Sequence, residues 1–95
     1  MKRVLDISDF VNIDTSESVT RVIIESFKKR RKELKYSQKR LAERSLVSFG
    51  SIKRFEQTGE ISFQSLLKIA EVLGYLDDFK NLFKNSHCRN LEDML

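Results

Sequence analysis

The chain has 95 residues, 34% of them charged and 40% apolar, and carries a formal net charge of +4. That length supports one small domain with a modest core. The absence of any run of eighteen apolar residues excludes a helical membrane span, and the single cysteine, Cys88, excludes an internal disulfide and fits a reducing compartment.

The first segment, residues 1–15, is an arm whose structure stays open. Val4, Leu5, Ile7, Phe10, Val11 and Ile13 are too apolar for a purely disordered arm, and a strand, a short helix or a partner contact all fit them. Asp6 and Asp9 interrupt the apolar stretch that a signal peptide needs, so a cytoplasmic location is expected. Asp14-Thr15-Ser16-Glu17 opens the first strong helix, capped by Asp14 with Glu17 three residues later or by Ser16 alone. Val19, Val22, Ile23, Phe27, Arg30 or Arg31, and Leu34 recur at helical spacing and predict its buried stripe.

Ser37 caps a short second helix with Leu41 and Ala42 inward, ending near Arg44. Ser45 to Val47 form a turn in which Leu46 or Val47 plugs the corner, without the glycine that such turns often use. Ser48 caps a third helix, with Ile52 and Phe55 inward and Phe49, Gly50, Lys53 and Arg54 outward. Gly59 marks its end. Ser62 caps a fourth helix carrying Phe63, Leu66, Leu67, Ile69, Ala70 and Leu73, closed by Gly74. Asp77 and Asp78 suit the start of a fifth helix, with Phe79, Leu82 and Phe83 as its apolar face. Residues 16–84 thus read as one all-α, five-helix domain, and residues 85–95 as a loose tail in which Leu91, Met94 and Leu95 are available for docking.

Charge is distributed unevenly over these elements. Residues 28–54 hold eleven Lys or Arg against Glu33 and Glu43, a local charge of +9 that leaves −5 for the remainder. A basic block coinciding with two short helices joined by a tight turn is the footprint of a helix-turn-helix that lays its second helix in a DNA groove. Lys28, Lys29, Lys39, Arg40 and Lys53 are then phosphate contacts, with part of the basic run left as solvated surface. Arg54 can donate two parallel bonds to guanine, against an alternative ion pair with Glu56 or Glu60. Phe49 can press on thymine methyls or pack against the second helix, and Gly50 permits close approach of backbone to DNA.

The residues Ser37-Gln38, Leu41-Ala42, Val47-Ser48, Ile52-Lys53-Arg54-Phe55-Glu56, Leu66-Leu67-Lys68-Ile69-Ala70 and Leu73-Gly74 resemble the Cro/C1-type (XRE, lambda-repressor-like) helix-turn-helix family of bacterial and phage regulators. The resemblance covers about residues 20–83. It implies a compact five-helix domain that binds DNA through the third helix and acts as a homodimer on paired half-sites. It implies a phosphate contact from Gln38, base-facing positions at Phe49, Gly50 and Arg54, and backbone-facing positions at Ser48 and Lys53. It also implies an ion pair between Arg31 and Glu56. Two departures stand out: Leu46 where a glycine is usual, and Phe49-Gly50 where many relatives carry polar readers. The stretch from Lys53 to Phe83 also resembles HipB-type antitoxins, which are encoded beside HipA-like kinase toxins.

Enzymatic chemistry finds no support. His87 and Cys88 are the only residues of their types, the three glycines (Gly50, Gly59, Gly74) form no phosphate loop, and neither a cofactor nor a metal is expected. The expected function is a homodimeric repressor on a palindromic operator, with Phe79, Leu82, Phe83, Leu91 and Leu95 as dimer or partner surface. The rival from a different class is a protein-interaction module on the same fold.

Overall fold

Serine and threonine hydroxyls, followed by residues able to enter left-handed backbone, set the limits of most helices in this chain. The computed structural model describes residues 13–85, which contain no β-strand. Five helices follow in order: α1 Ser16–Glu33, α2 Gln38–Ser45, α3 Phe49–Thr58, α4 Phe63–Leu73 and α5 Leu76–Lys80. Ser37, Ser48 and Ser62 each accept a hydrogen bond from the amide three residues on, at 3.0, 3.0 and 3.1 Å.

The first helix differs from its sequence reading in two ways. Its cap is Thr15, not Asp14 or Ser16. The Thr15 hydroxyl accepts from the Ser18 amide at 3.0 Å, while the Ser18 hydroxyl accepts from the Thr15 amide at 2.9 Å, a reciprocal capping box. Its buried seam is Ile24, Phe27 and Arg31, whereas Val19, Val22 and Ile23 are exposed. Phe27 lies on the expected stripe and Arg31 is the arginine of the two that closes it, but Ile24 takes the place of Ile23.

That seam packs onto a core of Leu41, Val47, Ile52, Phe55, Ile69 and Leu73. The Phe27 and Phe55 rings meet edge to face with centroids 5.0 Å apart, locking α1 to α3. Arg30 ties α1 to the end of α4 by donating from Nε to the Leu73 carbonyl at 3.1 Å. α2 packs against both α3 and α4, and α5 leans on α4.

The α2–α3 turn resolves the choice between Leu46 and Val47: Val47 is buried and plugs the corner, while Leu46 is 83% exposed. The buried Ser45 hydroxyl donates to the Leu41 carbonyl at 2.7 Å and accepts from the Val47 amide at 3.3 Å, so the corner keeps its polar groups satisfied. Leu46 itself adopts φ +62°, a left-handed conformation that costs a residue with a Cβ about 1–2 kcal/mol. Past α5, Phe83 is in a turn at φ +65° and is 99% exposed, so it does not belong to an apolar face of that helix. Leu91, Met94, Leu95 and the arm residues before Ile13 lie outside the described residues.

Leu46→Gly removes the left-handed penalty and an exposed apolar side chain together. It should raise the urea midpoint, stabilising the fold by about 1 kcal/mol at an unchanged m-value. An unchanged or lower midpoint would show that Leu46 contributes packing this geometry does not assign to it.

Candidate nucleic-acid interface

The third helix is positioned by apolar residues on one side and by a buried charge at its end. Ile52 and Phe55 face the core at 0% and 3% exposure. One turn from Ile52, Glu56 meets Arg31 in a two-pronged pair: Nε donates to Oε2 at 2.7 Å and Nη2 to Oε1 at 3.1 Å. The side chains of the pair are only 10% and 6% exposed. Nη1 of Arg31 donates in addition to the Tyr36 carbonyl at 2.9 Å, in the connection between α1 and α2. Fork-to-fork pairing of this kind fixes orientation as well as distance.

Gln38, the first residue of α2, joins the pair. Its amide nitrogen donates to Glu56 Oε1 at 2.9 Å. A carboxylate in an ion pair only accepts, so the nitrogen must face it, and one amide hydrogen of Gln38 remains over for another acceptor. Three helices are therefore joined through one carboxylate. The sequence offered each of the three residues but not this bond, because Gln38 and Glu56 are eighteen positions apart and no local spacing links them.

On the opposite side of α3, Phe49, Gly50, Lys53 and Arg54 are all exposed. Lys39 of α2 and Lys53 of α3 place their ammonium groups 5.5 and 5.6 Å from the Phe49 ring centroid, so the aromatic ring gathers two cations from adjacent helices. The Lys53 contact is readable as an i,i+4 pair, whereas the Lys39 contact needs the turn between the helices. A Cβ built on Gly50 meets nothing within 4 Å.

The other candidate residues are engaged within the chain to varying degrees. The Ser48 hydroxyl caps α3 by accepting from the Ser51 amide and donating to the Ser51 hydroxyl at 2.8 Å. Arg40 pairs with Glu43 at 3.1 Å, and Lys28 approaches Glu25 at 3.9 Å. Both are pairs three residues apart on exposed helix surface, worth little and readily exchanged for a phosphate. Arg54 donates from Nε to Glu60 Oε1 at 3.1 Å and from Nη2 to the same oxygen.

A helix-turn-helix family model matches residues 27–79, more than half of the chain and the whole of the α2–α3 unit. The chain belongs to the Cro/C1-type (XRE) helix-turn-helix family. No curated protein and no solved structure gives a match. Membership makes the chain a DNA-binding regulator of XRE type, in a family of regulators rather than enzymes. No helix among the described residues is long and apolar enough to cross a membrane.

The open space at Gly50 makes a direct check of this face. Glycine in a helix costs about 0.5–1 kcal/mol relative to alanine. Gly50→Ala should therefore raise the thermal midpoint of the free protein by a few degrees. A lower midpoint would mean that part of the chain closes over this face.

Proposed function

We propose that this chain is a homodimeric transcriptional repressor that holds double-stranded DNA through α3, acting in the cytoplasm without cofactor or catalysis. The observation that carries the proposal is the division of α3 into two sides. One is anchored by a buried ion pair joining three helices, and the other presents cations and a bare backbone position to solvent. In this reading Phe49, Gly50 and Arg54 face base edges. Gln38 offers its spare amide hydrogen to a phosphate, and Lys28, Lys39, Arg40, Lys53 and the α3 start at Ser48 hold the backbone on either side.

A two-fold operator calls for a second copy. An apolar groove of about 590 Å³ runs between α1, α4 and α5. Ile23, Phe63, Phe79 and Leu82 line it, three of them exposed and Phe79 half-buried. Phe79 and Leu82, with Phe83 beyond them and Leu91 and Leu95 of the tail, make up the proposed dimer or partner surface. An antitoxin role, with a HipA-like kinase toxin as partner, rests only on the resemblance of the Lys53 to Phe83 stretch.

A second reading, a module that binds protein instead of DNA, is favoured by the apolar Phe49 on the outward side of α3 and by the same groove. Salt separates the two. Roughly six to ten phosphate contacts lose about 10³–10⁵-fold in affinity between 50 and 200 mM salt, whereas an apolar protein contact hardly responds. Titration of the DNA upstream of its own gene against a scrambled duplex, across salt concentrations, should show preferential binding with that steep dependence. Equal binding of both duplexes, or none at low salt, would favour the protein-binding module.

A further inference from the structure

Glu60 lies just outside α3, yet its carboxylate folds back onto Arg54, the one guanidinium of the outward face. The chain places it there deliberately in the geometric sense. Gly59 ends α3 at φ +83°, and a Cβ added to it would run into the Thr20 methyl of α1. The Thr58 hydroxyl donates to the Arg54 carbonyl at 2.8 Å and accepts from the Glu60 amide at 3.1 Å. This turn aims the Glu60 side chain back along α3 toward Arg54, six residues earlier. The two side chains are 67% and 64% exposed, so the pair contributes little to stability.

What the pair does do is divide the guanidinium. Both bonds use the Nε–Nη2 edge and end on a single oxygen of Glu60. The Nη1–Nη2 edge is left over, and that edge has the spacing to donate in parallel to guanine O6 and N7. We propose that Glu60 is a positioning residue for DNA readout, holding Arg54 by one edge so that the other meets guanine in a fixed orientation. The inference rests on the base-reading role proposed above for Arg54. A second consequence follows from charge alone. A carboxylate beside the interface repels every phosphate, so Glu60 lowers affinity for all DNA while sharpening the preference at one base pair.

The test selects duplexes from a random-sequence library with the full-length chain, then measures affinity for the selected duplex and for a copy with the guanine replaced by adenine. Arg54→Ala should erase the guanine preference at one position per half-site. Glu60→Ala should cut that preference by about tenfold, within the range a two-bond guanine contact supplies, while binding of non-specific DNA stays equal or tightens. Glu60→Gln retains an acceptor oxygen without the charge, so it should keep most of the preference and bind all sequences more tightly. Thermal midpoints of the variants should match the parent, since the pair is exposed. If Arg54→Ala erases the preference but Glu60→Ala leaves it intact, or weakens all sequences equally, the role of Glu60 is wrong and that of Arg54 stands. If Arg54→Ala leaves the preference intact, both assignments fail together. Selection of no sequence at all by the parent chain would overturn the DNA-reading proposal itself.

Discussion

The Arg31–Glu56 pair ties α3 to α1 and, through Gln38, to α2. Among the described residues, five helices and a handful of fully buried apolar residues leave α3 with two inward anchors, Ile52 and Phe55, both on one stripe. Such a stripe fixes how far a helix stands from its neighbours, but it leaves rotation about the helix axis and sliding along it comparatively free. A two-pronged bond from α1 to Glu56, near the end of α3, removes that freedom. Taking two charges out of water is expensive, and the arrangement is sustained by its hydrogen-bonding: Glu56 accepts from Arg31 twice and from Gln38 once, and Arg31 donates also to Tyr36. The benefit is orientation. If α3 rolled by a few tens of degrees, Lys53 and Arg54 would turn away from the face they share with Phe49 and Gly50.

Much of the framework was legible in the sequence because it is local. Ser37, Ser48 and Ser62 as starts, and Gly59 and Gly74 as ends, each depend on a few neighbouring residues. The first helix was harder for two physical reasons. Thr15 lies in a run of three residues, Asp14-Thr15-Ser16, that can all cap, so composition cannot pick one. Ile23 and Ile24 are adjacent, as are Arg30 and Arg31, and only the pairing of Arg31 with Glu56 decides which arginine, and with it which isoleucine, lies on the seam. Similarly, Leu46 and Val47 are both apolar, and only the left-handed backbone at Leu46 decides which one turns inward. The five-residue α5 stops at Lys80, before the periodicity of Phe79, Leu82 and Phe83 would suggest.

The candidate interface was legible as a set of residues and not as a network. Basic composition and helical spacing marked Lys39, Lys53 and Arg54. They gave no sign that Lys39 joins Lys53 at the Phe49 ring, or that Gln38 shares a carboxylate with Arg31. The Lys53 contact with Phe49 is a local i,i+4 pair within α3, but the Lys39 and Gln38 contacts cross from one helix to another, at separations that no helical spacing supplies. The candidate interface thus combines two kinds of group. Gln38 of α2 is held by pairing that reaches into the fold, whereas Arg40 and Arg54 are held only by exposed charges that a phosphate can replace.

Whether the buried pair orients α3 is read from a double-mutant cycle on Arg31→Met and Glu56→Met, followed by urea unfolding and by DNA affinity. Each single change strands a buried charge and should destabilise the fold by about 3–5 kcal/mol, whereas the double change should recover a large share of that loss. The double variant should nevertheless bind DNA more weakly than its stability implies, because neither α3 nor Gln38 retains its anchor. Single variants losing less than about 1 kcal/mol, the range of an exposed pair, together with a double variant binding DNA as the parent does, would contradict the account.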